Sequence, residues 1–272
     1  MLSGSDEHGT PITVTADETG KSPQAVVDEN HDAIFASLVE LGCSWGQTLD
    51  RRGVEFGGAL YGRTSDPRHH ELVQDILLEL HENGFLIQET MEQFCSVADD
   101  GGIKFLPDRY VQGVCPACSA EGARGDQCDV CGATYEANEL KDPVSKLNPE
   151  IPVEIRETDH LFFRLDLLQD DLETHAASRR STWKPNVRAM TQNWLNMGLR
   201  PRAVTRDIEW GVKIPLDDEV WGEKRVYVWF DAVQGYLTCA RIWSERIAEE
   251  SGSESDIWRR WWMDSGNLRH IY

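Results

Sequence analysis

Cys115-Pro-Ala-Cys118, followed by Cys128-Asp-Val-Cys131, decides how the middle of this chain is read. Each pair presents two sulfurs from one tight turn at the spacing of tetrahedral metal ligands. Two such turns brought together make the closed four-sulfur shell that structural zinc takes. A catalytic zinc keeps one coordination position open, so the expectation is one structural Zn2+ held by Cys115, Cys118, Cys128 and Cys131, organising only the segment around it. Gly132 after the second pair, and Gly122 and Gly125 between the pairs, supply the turns such a ribbon needs. Cys43, Cys95 and Cys239 stand alone and read as small buried hydrophobes.

A zinc ribbon is also a nucleic-acid module, but such modules surround the metal with Lys, Arg and exposed aromatics. Between Cys115 and Cys131 the only basic residue is Arg124, set against Glu121, Asp126 and Asp129. The whole chain shares the bias, with 47 acidic against 27 basic residues and a formal net charge of -20 over 272 residues. That balance argues against a basic face for nonspecific nucleic-acid binding, and no DNA partner is expected. No apolar run approaches the ~20 residues of a membrane-spanning helix, and charge arrives as early as Asp6 and Glu7, unlike a secretory signal. The expectation is a soluble cytoplasmic protein with no membrane partner, in a compartment reducing enough to keep metal-binding thiols free.

Outward from the cysteines the texture is α/β, and the length suits one large domain with an insertion, or two domains. Ser22-Pro23 predicts a helix start, with Val27, Ile34, Phe35, Leu38 and Leu41 as a core stripe and Gly42 as the stop. Asp66-Pro67 repeats the signal before Leu72, Val73, Ile76, Leu77 and Leu80, ending at Gly84. From Thr90 to about Val204 short strand-like pieces surround the cysteines, and Pro143, Pro149 and Pro152 break any long element. A helix from Pro185 to Met197, with Val187, Met190 and Trp194 on one side, leads out to Gly198. Val226-Tyr-Val-Trp-Phe230 reads as a buried parallel strand ending at Asp231, the place where open α/β sheets put ligands, with a helix following through Arg241.

Ser3-Gly-Ser-Asp-Glu-His-Gly-Thr-Pro11, Phe105-Leu-Pro-Asp-Arg-Tyr110, the cysteine ribbon, and Val228-Trp-Phe-Asp-Ala232 with Gly235-Tyr236 occur in the order found in methionyl-tRNA synthetases. Over essentially its whole length the chain resembles that family, and the archaeal type in particular. The resemblance implies a class I synthetase Rossmann-like domain with an inserted zinc-ribbon connective domain: residues 1–89 as part of the first half, 90–204 as the insertion with its zinc knuckle, and 205–272 as the start of the second half. It also implies methionine, ATP with Mg2+ and tRNA(Met) as substrates of the full-length enzyme. Asp6 then lies at the methionine ammonium, Trp229, Ala232 and Tyr236 match the methionine pocket, and Arg206, in a family Arg-Asp pair with Asp207, stands as the catalytic cation near the reacting groups. His8 and Gly9 shape the turn rather than react.

Departures from the family carry their own expectations. Val233 stands where many relatives place proline, so the pocket rim is expected to differ. Leu140 to Pro152 holds no second cysteine pair, which fixes the expectation at one zinc. In relatives the HIGH-type motif precedes the SDEHG turn and the KMSKS-type loop follows the point reached at Tyr272. The chain is therefore expected to be an internal piece of the catalytic domain, inactive by itself. A noncatalytic zinc-containing remnant, a subunit of a split synthetase, or a class I enzyme for leucine, valine, isoleucine or cysteine are the alternatives. The size of the ribbon and Trp229-Phe230-Asp231-Ala232 favour methionine.

The acidity reads as adaptation to molar salt, where the Debye length falls to about 3 Å and dense carboxylates repel one another weakly. The melting midpoint should rise through a potassium chloride series, and a midpoint that stays flat or falls would rule out a halophilic protein.

Overall fold

A computed structural model describes residues 2–43, 60–97, 102–107, 110–124, 128–133, 135, 137–146, 148–252 and 256–262. Strand β1 (Leu2–Ser5) pairs in parallel with β2 (Leu60–Arg63), Gly4 facing Gly62. The approach is close enough that a Cβ on Gly4 would lie 2.7 Å from the Gly62 carbonyl oxygen, and one on Gly62 would lie 2.7 Å from Cys239 Sγ. Glycine is the residue that permits this contact. Helices α1 (Thr10–Thr19) and α2 (Pro23–Glu40) come between the two strands in sequence. Ser22 caps α2 by accepting from the Ala25 N–H at 3.2 Å, with Pro23 at the first helical position, as the sequence predicts. Asp66 starts α3 (Pro67–Glu82) in the same way, accepting from the Arg68 N–H at 2.9 Å, and Leu72, Val73 and Leu77 are buried.

The core stripe expected on α2 is corrected by the structure. Val27 is buried, but Ile34, Phe35 and Leu41 are exposed, Leu41 to 80%. Helical periodicity marks which residues share a face and says nothing of what covers it. Among the described residues the distal half of that face has only partial cover, Phe35 leaning on Tyr61 of β2 with ring centroids 5.5 Å apart.

From β3 (Leu86–Val97) the chain passes β4 (Ile103–Phe105) and then a three-stranded sheet of β5 (Val111–Val114), β6 (Ala123–Arg124) and β7 (Lys141–Ser145), in the order β6-β5-β7. It returns along β8 (Val153–Phe163), which runs antiparallel to β3 from Leu86↔Phe163 to Ser96↔Val153. The cysteine turns thus ride at the far end of a long two-stranded stem. Asp108 and Arg109 of the quoted motif, with Gly125 and Asp126, lie outside the described residues.

Beyond the stem come α4 (Gln169–Ser178) and α5 (Pro185–Met197), which stops at Gly198 with φ +76°. On α5 Leu195 is buried, while Met190 and Trp194 of the apolar side are exposed. Short strands β9 (Arg202–Ala203) and β10 (Thr205–Arg206) follow, then α6 (Asp218–Trp221) and β11 (Arg225–Val226). Here the expected buried parallel strand Val226–Phe230 is corrected. β11 pairs antiparallel with the two-residue β10, so the ladder ends at Val226, and α7 (Val228–Ala232) begins at once. A continuous apolar run fits a strand and a buried helical turn equally well. Helices α8 (Gly235–Ser251) and α9 (Ile257–Trp262) complete the described chain. Among the described residues no helix is long and apolar enough to cross a membrane.

One core unites Val73, Leu77, Leu86, Leu161, Val204, Val212 and Trp221. A second holds Cys115 and Cys128 with Phe94, Leu106, Tyr110, Val111 and also Val14 of α1, so the cysteine ribbon is not self-contained. Leu77 is 0% exposed and Met197 is 74% exposed. Leu77→Ala should therefore cost about 2–5 kcal/mol of stability in urea melts, and Met197→Ala about 0.5 kcal/mol or less. Equal losses would overturn this assignment of the core.

Candidate active site

Asp6 to Gly9 make the turn from β1 into α1. Gly9 sits at φ +91° and ψ 175°, a combination glycine alone takes without strain, and a Cβ there would lie 3.0 Å from Val228 Cγ1. The turn is held from within by Glu7, which is buried. Ser5 Oγ donates to its carboxylate at 2.5 Å, Arg63 Nε at 2.8 Å, and Ser65 Oγ also donates to it. The Glu7 N–H donates to Thr64 Oγ1 at 2.9 Å and its carbonyl accepts from Trp210 Nε1 at 2.7 Å. Every polar group of a buried residue is thereby satisfied, which fixes where its neighbour Asp6 points.

Across from this turn, the Tyr227 carbonyl accepts the N–H groups of Phe230 at 2.8 Å and Asp231 at 3.1 Å, winding α7. The winding sends Asp231 inward, fully buried, and Trp229 outward. Asp231 Oδ2 accepts from His8 Nδ1 at 2.8 Å. Asp6, Trp229, Ala232, Val233, Tyr236 and Cys239 line a cavity of about 450 Å³ floored by Gly4. Trp229 is 72% and Tyr236 60% exposed, so two large aromatics stand open to solvent on one wall instead of in the core expected of an apolar run. At the mouth Asp6 keeps solvent contact, yet crowding by surrounding protein, and then the charge of Asp231, push its carboxyl up to about 6. Val233 holds φ -62°, the value a proline ring imposes, so the rim backbone matches what a proline there would give.

The structure brings four of the expected pocket residues together, Asp6, Trp229, Ala232 and Tyr236, while Arg206 is not among the residues lining that cavity. Its guanidinium lies 3.8 Å from the centroid of the Tyr227 ring, and Nη1 donates to the Thr205 carbonyl at 2.9 Å. Asp207 turns to other partners: Thr158 Oγ1 at 3.0 Å, His160 Nε2 at 3.1 Å, and Lys224 Nζ in a short ion pair. Burial alone would raise the Asp207 carboxyl, but His160 and Lys224 outweigh it and hold the group below its ordinary value. The sequence does not single out Glu7, Arg63, His69, His70, Trp210 or Lys224. Glu7 carries a signal in hindsight, an acid between the site aspartate and a histidine, while Trp210 and Lys224 carry none.

Both cysteine turns repeat one geometry. The Cys115 carbonyl accepts from the Ser119 N–H at 3.0 Å and the Cys128 carbonyl from the Gly132 N–H at 2.9 Å, while each cysteine's own N–H donates five residues on, to Ala120 and Ala133. Ser119 and Gly132 share positive φ, 60° and 71°. The Cys118 N–H points at Cys115 Sγ and the Val130 N–H at Cys128 Sγ, each at 3.4 Å. The first of these contacts is the main reason the Cys115 thiol falls to about 7. All four sulfurs lie within 4.8 Å of one another, with Cys115–Cys131 at 3.9 Å and Cys118–Cys128 at 3.7 Å. Tetrahedral thiolates at about 2.3 Å from a zinc ion stand roughly 3.8 Å apart, which the two short sulfur spacings match. His8, His69 and Asp231 also approach within 4.8 Å. There, however, His8 Nδ1 and Asp231 Oδ2 are bonded to each other and His69 Nδ1 to Thr238 Oγ1 at 2.8 Å, which makes the group a hydrogen-bond network.

The family model described as tRNA synthetases class I (M) matches residues 1–272, and the chain belongs to that family. Its relatives include the methionine–tRNA ligase of Nocardioides sp., 43% identical over 277 residues that take in 100% of this chain and 42% of the relative. The methionine–tRNA ligase of Thermoplasma acidophilum is 42% identical over 272 residues, covering 100% of this chain and 45% of the relative. The chain thus spans less than half the length of these curated relatives. A solved structure of Mycobacterium tuberculosis methionyl-tRNA synthetase bound by methionyl-adenylate superposes on 96% of this chain and 41% of its own, with TM-score 0.59 and 24% identity, a likeness of fold.

Proposed function

We propose that the protein containing this chain is a methionine–tRNA ligase, that it activates methionine with Mg2+-bound ATP and passes the acyl group to tRNA(Met), and that this chain supplies the methionine pocket. The observation that carries the reading is the single cavity in which Asp6 faces an aromatic wall of Trp229 and Tyr236 beside the small Ala232. A carboxylate gives an ammonium its charge-assisted hydrogen bond, and aromatic faces give a thioether sulfur about 0.3–1.5 kcal/mol per contact. Arg206, its guanidinium 3.8 Å from the centroid of the Tyr227 ring immediately before α7, is the cation assigned to charge on the reacting carboxylate and phosphate. Residues 1–89 and 205–272 are read as parts of the two catalytic halves and 90–204 as the connective insertion between them, supported by the β3–β8 stem that closes its base.

We also assign one structural zinc to Cys115, Cys118, Cys128 and Cys131, supported by sulfur spacings close to tetrahedral edges and by the repeated turn geometry. The ion would neutralise thiolates and lock the two turns together. A cytoplasmic setting agrees with the described cysteines all being free thiols, and a high-salt setting with the net charge of -20.

Two outcomes test these assignments. Metal analysis should find one zinc per chain, lost in Cys128→Ser, and a stoichiometry near two or full retention in that variant would sink the zinc assignment. Calorimetry should show methionine binding that discriminates against leucine and weakens about 10–150-fold in Asp6→Asn, the worth of a hydrogen bond to a charged group. Because the Asp6 carboxyl titrates at about 6, it is neutral below that pH and cannot pair with the ammonium. Affinity should therefore fall as pH drops through about 6 and level off above it; an Asp6→Asn protein that binds as tightly as the parent at pH 8 would overturn the pocket.

A further inference from the structure

We propose that His8 and Asp231 are positioning residues for methionine recognition: their buried hydrogen bond locks the turn that carries Asp6 to the helix that carries Trp229 and Ala232. The inference rests on the pocket reading above and adds how the pocket's two sides are held at a fixed separation.

The two sides come from opposite ends of the chain and share no strand. Asp6 is on a turn, and α7 has five residues, too few to be stable by its own hydrogen bonds. Something must fix the rotation of α7, because each residue advances about 100° around the axis and a small turn would sweep Trp229 off the cavity. Phe230 packs on Phe163, ring centroids 6.1 Å apart, and Asp231 supplies the polar half of the constraint. It lies between Trp229 and Ala232 on the inward side of the same turn, and it meets His8, two residues after Asp6, at 2.8 Å. Both side chains are fully buried, at 1% and 0% exposure, so the bond is sheltered from competing water.

The bond has no substitute nearby. Among the described residues Asp231 Oδ1 has no hydrogen-bond partner, which leaves His8 as the group that satisfies this carboxylate. Removing His8 would leave a buried acceptor wholly unpaired, and α7 would gain by turning it toward solvent. His8 itself is braced. Its Nε2 lies 3.3 Å from His70 Nε2, and its ring packs edge-on against Trp210, centroids 5.8 Å apart. Burial is the main cause that lowers His70 to about 4, so at neutral pH its uncharged imidazole can share one hydrogen with His8 Nε2 while His8 Nδ1 faces Asp231. Gly9 adds the steric half of the joint, its missing side chain leaving room for Val228. A hydrogen bond to the ammonium tolerates only a few tenths of an ångström, so the separation of Asp6 from the aromatic wall governs whether both contacts form at once.

The test compares methionine with 4-(methylthio)butanoate, which keeps the thioether and carboxylate but lacks the ammonium, by calorimetry and competition on the full chain. His8→Leu should weaken methionine about tenfold or more and the butanoate clearly less, because a displaced α7 costs both ligands part of the aromatic wall while methionine alone also loses the Asp6 contact. His8→Asn, whose amide N–H replaces Nδ1–H, should recover methionine to within about threefold. Unchanged methionine binding in His8→Leu, or equal loss of both ligands without rescue by Asn, overturns the proposal. Should His8→Leu fail to fold, Asp231→Leu, similar in shape but with no oxygen to accept from His8 Nδ1, carries the comparison. If the parent chain binds neither ligand, the pocket reading is what falls, and the joint is judged by hydrogen exchange. Amides 7–9 and 228–232 losing protection together in His8→Leu and regaining it in His8→Asn would support it, and unchanged protection would overturn it.

Discussion

A carboxylate cannot be taken out of water alone, and in this chain that constraint falls on a surplus of acids, 47 against 27 basic residues. Three buried or nearly buried carboxylates each draw a partner from a distant stretch: Glu7 takes Arg63, Asp207 takes Lys224, and Asp231 takes His8. Two of the pairings reinforce the β1–β2 and β10–β11 ladders, and the third joins elements that no strand ladder links among the described residues. Arg63 ties β2 to the turn after β1, Lys224 ties the approach to β11 to the end of β10 and to Thr158 of β8, and His8 ties the first turn of the chain to α7. Among the described residues no other acid is buried, so these few interior pairs carry the specificity that buried charge supplies. They converge on the elements that frame the proposed pocket.

That arrangement explains why Asp6 is exposed while its neighbours are not. Glu7 and His8 anchor the turn by burying their side chains on opposite partners, and the residue before them is left pointing outward into the cavity. The same logic applies on α7, where Asp231 is drawn inward and Trp229 is displayed. Exposed aromatics of this size cost solubility when they serve no contact, and here two of them cluster beside a single carboxylate.

The legible parts of the fold were those written in local chemistry. Ser22-Pro23 and Asp66-Pro67 announce helix starts because side-chain oxygens and a fixed φ satisfy the first turn wherever the helix goes. The cysteine turns are legible for the same reason. What the sequence could not disclose was cover and partnership. Ile34, Phe35, Met190 and Trp194 have helical spacing, but nothing within the chain's own periodicity states whether a neighbour packs on them. Val226–Phe230 was read as a strand because an apolar run has no period of its own, and the deciding fact, a partner strand only two residues long, lies twenty positions earlier in β10. The pocket residues followed from family resemblance, while Lys224 and Trp210 became visible only when the fold placed them.

The ribbon extends this dependence beyond the insertion. Cys115 and Cys128 share a buried cluster with Val14 of α1, and the surface of that contact is stitched by Tyr110 Oη to Asp17 at 3.1 Å and by Lys146 to Glu18 at 2.9 Å. Helix α1 begins at Thr10, directly after the turn that carries Asp6, and Val14 lies one helical turn further on. A change in how the four sulfurs are held would therefore shift the floor on which α1 rests, and α1 is the continuation of the turn whose geometry sets the Asp6 carboxylate. The packing path from the four sulfurs toward the cavity runs through α1, one short helix, as well as along the long β3–β8 stem, so the ribbon packs on the same element that continues the turn carrying Asp6.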